Sequence, residues 1–261
     1  FQAESKEERE ERMRDIETSF DESLNNPDYA RKLYLIENCI YGVDIQPIAI
    51  QISKLRFFIS LVVDQKTTND PVANFGIRPL PNLEAKFVAA NSLIPLFKTD
   101  GELGRTLEII EVENKLKEAN HKIFSAKTVR TKRRWKERLI ALREDMAAKL
   151  AENGFLTSDA ANQLASWDMF NQNTAATFFD ADWMFGVKDG FDVVIGNPPY
   201  MKIPKNAPEA TAMPEICYGA PNLYFIFAAM GLFNLKDDGE MVYIIPRSWT
   251  SGAYFKRFRE Y

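Results

Sequence analysis

The length, composition and charge of this chain exclude several classes of protein. Of its 261 residues, 46% are hydrophobic and 27% charged, so the chain can bury a full core and is not of disordered composition. No apolar run approaches the roughly 20 residues that cross a bilayer. We therefore expect a soluble, cytoplasmic globular protein with no membrane partner.

Cysteine and histidine are too scarce for several kinds of site. Only Cys39 and Cys217 are present, both with apolar neighbours in sequence, and His121 is the one histidine. A disulfide framework, a zinc site and a histidine-based hydrolase triad are therefore not expected. The sequence predicts no metal site and favours chemistry that needs neither a metal nor a histidine.

The first predicted elements are a charged helical segment, a short strand and an apolar helix. A helical pattern covers residues 5–35 with a break near Pro27, and residues 39–45 are typical of a short buried strand. Pro47 suits the first turn of a helix that continues to Asp64. Because this helix is apolar nearly all round, we expect it to be buried against a sheet.

Asp44, at the end of that strand, is a candidate ligand-binding residue. In dinucleotide-binding and related folds, an acidic side chain after the second strand accepts hydrogen bonds from ribose hydroxyls. Ile45 directly follows it and could pack on the adenine of the same ligand. The alternative is that Asp44 caps the helix that begins at Pro47.

The middle of the chain is predicted to hold a further strand and a long helical insertion. Residues 87–90 form the strand, and Asn91 stands at its carboxyl end. Residues 104–154 are highly charged and helical, as in a two-helix hairpin. A basic cluster at residues 127–138 surrounds Trp135 and either contacts nucleic-acid phosphates or is a solvated face, which the acidic residues nearby favour.

The strand over residues 191–195 is followed by an unusual turn. Its apolar, β-branched residues are typical of a strand covered on both faces of a parallel sheet. After it, Asn197 precedes Pro198 and Pro199, which fix φ near about −65° and donate no backbone N–H. An amide, unpaired carbonyls and the Tyr200 ring are thereby held at the carboxyl end of a strand, where ligands bind in open α/β sheets.

This tip, residues 197–200, suits chemistry on the amino group of a nucleobase. The lone pair of that group is delocalised into the ring. The Asn197 side-chain oxygen and the Pro198 carbonyl can each accept one of its hydrogens and hold the lone pair towards an electrophile. Tyr200 can stack on the base, which has to be flipped out of a duplex to reach the tip. Stacking returns roughly 1–3 kcal/mol of the cost of flipping.

The remaining elements continue the alternation of strand and helix. An apolar helix is predicted over residues 222–235, a strand over 239–246 and the start of another helix over 248–261. Strands that alternate with helices predict an α/β fold with a parallel sheet.

The tip Asn197-Pro198-Pro199-Tyr200 resembles the catalytic motif of amino-group methyltransferases that use S-adenosylmethionine. Four blocks of the chain are similar, in their order and in their amino-acid sequence, to blocks of type IIG restriction-modification enzymes. They lie at residues 40–61, 82–93, 178–200 and 222–249. The cores of those enzymes resemble N6-adenine DNA methyltransferases. The resemblance implies catalytic roles for the four tip residues and double-stranded DNA, with a flipped-out adenine, as the partner.

The same resemblance implies a fold and a cofactor site. The fold is a Rossmann-like S-adenosylmethionine-dependent methyltransferase sheet, truncated and with an inserted helical hairpin. Residues 1–98 would form N-terminal helices and its first half, 99–170 the insertion and 171–261 the second half. S-adenosylmethionine would contact Asp44, Ile45 and Asn91, although many relatives carry Asp at the last position. An Asp also often stands where this chain has Asn222.

One block of that family is absent: no Gly-rich segment precedes Asp44 to hold the methionine part of the cofactor. The strand order of such folds, 3-2-1-4-5, then predicts a gap between the Asp44 strand and the Asn197 strand, with two exposed hydrophobic edges. We expect the chain to be an excised piece that lacks this block and the target-recognition domain. It would be inactive alone and would pair with another copy, close up or keep a distorted cofactor site.

Two other functions remain open from the sequence. Similar tetrapeptides occur in methyltransferases of protein glutamine and of RNA amino groups. The basic cluster at residues 127–138 would instead suit a non-catalytic DNA-binding module. The net charge of −4 is unfavourable for contact with DNA phosphates, so we expect a DNA-reading domain outside this chain.

Overall fold

The computed structural model describes residues 27–72, 74–77, 83–96, 107–124, 129–154, 156–168, 170–171, 173–217 and 221–260. The helical pattern predicted for residues 5–26 and the side chains of Lys127 and His121 lie outside this description. The first described helix begins at Pro27, where the sequence predicts a break.

Helices and short strands alternate along the described chain, which confirms the predicted α/β class. The strands are β1 (Gly42–Asp44), β2 (Phe87–Ala89), β3 (Phe191–Gly196) and β4 (Leu235–Tyr243). The α-helices are α1 (Pro27–Asn38), α2 (Pro47–Val63), α3 (Leu107–Phe124), α4 (Val129–Glu152), α5 (Ser158–Ser166), α6 (Ala181–Phe185), α7 (Pro208–Thr211), α8 (Leu223–Phe233) and α9 (Lys256–Glu260). Short 3-10 turns lie at Asn74–Gly76, Leu83–Ala85, Arg247–Thr250 and Ala253–Phe255.

The strands form two separate parallel pairs. Strand β1 pairs with β2, with Asp44 opposite Ala89, and β3 pairs with β4, with Gly196 opposite Tyr243. In the described residues no strand lies between β1 and β3. The gap that we expect between the Asp44 strand and the Asn197 strand stays a prediction, since the two pairs are separate sheets in the described residues.

Helix α2 has the predicted place and is buried against the sheet on one side. Ile50 and Leu61 are buried, and the helix contacts β1 and β2. Five other apolar residues are more than half exposed: Ile48, Ile52, Leu55, Ile59 and Val63. The predicted burial against the sheet is therefore confirmed for one side of the helix, on which β1, β2 and α1 pack, and the rest of its apolar surface is exposed.

Helices α3 and α4 form an antiparallel pair. Glu108, in the first turn of α3, lies 3.8 Å from the Lys149 ammonium near the end of α4. The pair shares a core with β2 through Ile109, Leu139 and Val88.

A buried arginine joins α4 to the chain after α5. The Arg143 guanidinium donates to the Trp167 carbonyl at 3.2 Å and lies 4.4 Å from the centre of the Trp167 ring. Burial lowers the pKa of Arg143 to about 10, which the neighbouring Asp168 carboxylate opposes. The contacts of Arg143 with Trp167 therefore hold α4 against the residues that follow α5.

The described part of the basic cluster is mostly solvent-exposed. Its exposed cations are Arg130, Lys132, Arg133, Arg134 and Arg138. Trp135 is half-buried and packs against the core, and Arg133 is paired with Glu137 at 3.1 Å. Lys136 lies 3.4 Å from Asp168. The cluster is therefore a solvated face whose exposed cations remain open to a partner.

The last part of the chain differs from two predictions. Strand β4 begins at Leu235, four residues before the predicted start, because it pairs with β3 from Phe191 onward. The helix predicted to begin at Ser248 is replaced by two 3-10 turns, and only α9 is helical, because Trp249, Phe255 and Phe258 pack separately against the buried residues of α8.

Two further observations concern predictions from composition. Cys39 is exposed although its neighbours in sequence are apolar, and Cys217 is partly buried, both with free thiols. Within the described ranges, no helix combines the length and the apolar character needed to cross a membrane.

Candidate functional site

The tip at residues 197–200 follows directly from the end of β3. Gly196 packs against the Tyr243 ring, and a Cβ at this position would lie 2.9 Å from a ring carbon of Tyr243. The pairing with β4 continues past the strand end, because the Ile244 N–H donates to the Gly196 carbonyl at 3.1 Å. Asn197 is exposed at this end of the sheet, and Pro198 is buried beneath it.

Tyr200 is held in place by its hydroxyl group. The Tyr200 hydroxyl donates to the Ile244 carbonyl at 2.7 Å, at the carboxyl end of β4. Its ring meets the Tyr224 ring edge to face, with centres 6.0 Å apart, and 53% of the residue remains exposed. The tip therefore presents an aromatic surface whose orientation is fixed, next to Asn197 and the exposed Pro199.

The chain beyond Tyr200 is fixed against the start of α8. The Ile203 N–H donates to the Pro221 carbonyl, and the Leu223 N–H donates to the Met201 carbonyl, each at 2.8 Å. Between them Lys202 forms an antiparallel bridge with Asn222. The Asn222 side chain accepts from the Tyr224 N–H at 3.4 Å, so it caps α8. The tip is thus anchored on both sides by backbone hydrogen bonds.

The hydrogen bond of Tyr200 gives a first testable prediction. Replacing Tyr200 by phenylalanine keeps the ring but removes the hydroxyl that reaches the Ile244 carbonyl. We expect the free energy of unfolding to fall by about 1 kcal/mol, the usual net value of such a bond. Urea denaturation measures it. Tyr34→Phe is the matched control, since Tyr34 is 54% exposed; equal losses in the two variants would contradict the prediction.

Asp44 and Ile45 occupy the carboxyl end of β1, as predicted. Asp44 is exposed, and its Oδ1 accepts from the Gln46 N–H at 2.7 Å. Gln46 is the residue at the N-terminus of α2 and forms no side-chain cap itself. The alternative that Asp44 caps the helix is therefore true of its Oδ1 only. In the described part of the chain, Oδ2 has no hydrogen-bond partner. Ile45 is 57% exposed beside it.

Asn91 lies at the same sheet edge but its side chain is already engaged. The Ala90 N–H donates to the Asp44 carbonyl at 2.9 Å, which places the next residue, Asn91, at this edge. The Asn91 Oδ1 accepts from the Leu93 N–H, and its Nδ2 donates to Glu209 Oε1, each at 3.1 Å. The sequence did not predict a role for Glu209, because its Pro-rich segment has no periodicity that would indicate the short helix α7.

The segment after Asn91 connects the two halves of the chain. Leu93 is 3% exposed and packs in one cluster with Ile203, Ala210 and Tyr224. Residues 203–210 follow directly from the tip, so the carboxyl edges of both strand pairs contact this common cluster. The structure brings Asp44 and Asn91 together through the backbone, and the tip is joined to them through the segment that leads into α7, where Glu209 lies.

These features define a class of protein. Parallel strands here end in a carboxylate, an amide and a rigid Asn-Pro-Pro-Tyr tip, and all three lie within the range that a family model matches. The family model described as the Eco57I restriction-modification methylase matches residues 38–261. Because this match covers more than half of the chain, the chain belongs to that family.

Curated relatives show similarity over parts of their length. The chain is 39% identical over 74 residues to the type II methyltransferase M.BsuBI of Bacillus subtilis, covering 28% of this chain and 15% of that protein. It is 40% identical over 70 residues to the type II methyltransferase M.PstI of Providencia stuartii, covering 27% and 14%. A putative type II restriction enzyme and methyltransferase of Methanocaldococcus jannaschii, RM.MjaORFECS2P, is 23% identical over 293 aligned positions, covering 89% and 24%.

The chain thus spans between 14% and 24% of the length of these relatives. No solved structure gives a significant match.

Proposed function

We propose that this chain is the core of a DNA methyltransferase that transfers a methyl group from S-adenosylmethionine to adenine N6, within a restriction-modification system. The observation that carries the proposal is the tip itself. Asn197 is exposed at the end of β3, and Tyr200 is fixed beside it by the bond to the Ile244 carbonyl. Membership of the Eco57I family supports the general activity.

In this proposal the tip orients the target base. The Asn197 side-chain oxygen and the Pro198 carbonyl accept the two amino hydrogens of adenine, and Tyr200 stacks on the ring. Pro199 keeps the backbone from relaxing into a helix. S-adenosylmethionine supplies the electrophilic methyl group. A pocket of this kind acts on a base that has been flipped out of double-stranded DNA.

The carboxyl edge of β1 and β2 fits the nucleoside part of that cofactor. An exposed carboxylate at Asp44 suits ribose hydroxyls, and the exposed Ile45 beside it suits a purine ring. Asn91 lies at the same edge. These three residues would hold the cofactor; Asp44 and Ile45 are exposed, and Asn91 is half-buried with its side chain bonded to Leu93 and Glu209.

We also propose that the two strand pairs are halves of one Rossmann-like sheet. Residues 1–98 and 171–261 would be its halves, and residues 99–170, with α3 and α4, a helical insertion between them. Val193 and Ile195 on β3 are 53% and 75% exposed. Such apolar strands favour self-association when nothing covers them. Because the proposed substrate is genomic DNA, the cytoplasm is the expected location.

A second candidate is a DNA-binding module without catalysis. The specific observation in its favour is the exposed basic turn of α4, where Arg130, Arg134 and Arg138 are spaced four residues apart and face solvent. Cations so placed suit contact with phosphates. This candidate differs from the first by predicting DNA binding without methyl transfer.

One experiment separates these functions. The full-length protein is incubated with radiolabelled S-adenosylmethionine and, in separate reactions, double-stranded DNA, RNA or a glutamine-containing peptide. We expect label in DNA alone, recovered as N6-methyladenine after digestion to nucleosides. Label in RNA or peptide would favour the other amino-group methyltransferases. Bound DNA without label would favour the non-catalytic module.

A further inference from the structure

We propose that Glu209 selects the adenine of the bound cofactor, and that Asn91 positions Glu209 for this task. The inference rests on the proposed function, since it concerns the ligand of the same site. Its starting point is the hydrogen bond from Asn91 Nδ2 to Glu209 Oε1 at 3.1 Å, between residues 118 positions apart in the chain.

Asn91 alone is poorly placed to recognise an amino group. Its Oδ1, the only acceptor of the side chain, faces its own turn and accepts from the Leu93 N–H at 3.1 Å. Its Nδ2 is directed at Glu209. The acceptor that this pair offers to a ligand is therefore on the carboxylate, because in the described residues Glu209 Oε2 has no hydrogen-bond partner.

Both ends of the pair are rigidly supported. Leu93, two residues after Asn91, is 3% exposed, and Ala210, directly after Glu209, is also 3% exposed. The Leu93 and Ala210 side chains pack in the same hydrophobic cluster. Neither backbone can shift without disturbing this packing, and the hydrogen bond from Asn91 holds the Glu209 carboxylate beside Asn91, which follows the residue bonded to the Asp44 carbonyl.

The chemistry of a carboxylate decides which base it accepts. Adenine presents a hydrogen-bond donor at its 6-amino group, and a hydrogen bond to a charged acceptor contributes about 1.5–3 kcal/mol. Hypoxanthine presents a 6-oxo acceptor at the same place, which faces a carboxylate unfavourably. Glu209 therefore favours an adenine nucleoside over its 6-oxo counterpart by roughly ten- to a hundredfold in affinity.

The test compares two ligands that differ at position 6, where adenine has an amino group and hypoxanthine an oxo group, and at the adjacent N1, which carries a hydrogen only in hypoxanthine. Binding of S-adenosylhomocysteine and S-inosylhomocysteine to the full-length protein is measured by titration calorimetry for the wild type, Glu209→Gln and the control Glu215→Gln, which changes an exposed carboxylate of the same segment. We expect the wild type and the control to prefer the adenine ligand at least tenfold. Glu209→Gln should lose most of that preference, because its amide can donate to a 6-oxo group.

The outcomes separate this inference from the proposed function. Equal weakening of both ligands in Glu209→Gln would mean that the residue only supports the fold, and would overturn the inference while leaving the proposal that this site binds the cofactor intact. An unchanged preference would overturn it as well. If the wild type bound neither ligand, the cofactor assignment itself would fail, and this inference with it. Thermal unfolding of each variant detects any general loss of structure.

Discussion

Replacing Asn197 by alanine is expected to lower the rate of methyl transfer by at least roughly 10²–10³-fold, the usual effect of removing one preorganised group from a reacting centre. The side-chain oxygen at this position is the acceptor that orients the target amino group. S-adenosylmethionine binding should be nearly unchanged, because its proposed contacts lie on β1 and β2. Turnover of a labelled DNA substrate and calorimetric binding of the cofactor measure the two quantities.

The appropriate control for this variant is Asn173→Ala. Asn173 is an exposed asparagine outside the tip and its loop, and its loss should leave both quantities unchanged. Because Asn197 is itself exposed, the substitution leaves no cavity, and an effect on folding is not expected. Full methylation by the Asn197→Ala variant would contradict the proposed role of the tip.

Gly190→Ala is expected to destabilise the protein by about 2–5 kcal/mol. Gly190 precedes β3 and has φ of +85°, in the left-handed region that alanine disfavours. A Cβ would also lie 2.7 Å from the Leu235 carbonyl carbon, at the place where β3 and β4 begin to pair. The backbone of β4 would have to move away, and the strand that carries the tip would lose its register. Urea denaturation gives the change in the free energy of unfolding.

Gly154→Ala separates the two causes. Gly154 has φ of +73°, but among the described residues nothing beyond its chain neighbours lies within 4 Å of the position that a Cβ would take. Its replacement should therefore cost only the backbone preference, about 1–2 kcal/mol. A Gly190→Ala loss no larger than the Gly154→Ala loss would show that the contact with Leu235 does not hold the two strands in register.

The local elements around the tip could be predicted because their signals are short-range. β-branched residues at positions 193–195 favour a strand, and the two prolines after Asn197 prevent helix, whatever the rest of the chain does. Pro47 likewise predicted the first residue of α2. These features depend on backbone sterics within a few residues, so the sequence carries them completely.

Predictions that depended on distant partners were less successful. The apolar pattern of α2 predicted burial against the sheet, which one side of the helix shows, yet Ile48 and Val63 on its surface are 62% and 75% exposed. Periodicity reports how apolar a face is, but it does not report whether another element covers that face. The start of β4 at Leu235 was missed for a related reason, since Leu235 is in the strand because it pairs with Phe191 of β3, before a shift in register that leads to the pair Val193 and Glu240.

The sequence by itself determined the chemistry at the ends of the strands: the carboxylate at Asp44, the amide at Asn91 and the rigid tip at residues 197–200. Only the tertiary structure decided which other groups meet them. It directed the Tyr200 hydroxyl to the Ile244 carbonyl and the Asn91 amide to Glu209, 118 positions away. Such pairs follow from the parallel register of the strands and the packing around Leu93. Both are long-range contacts, whose partners are set by the closure of the fold rather than by neighbours in the chain.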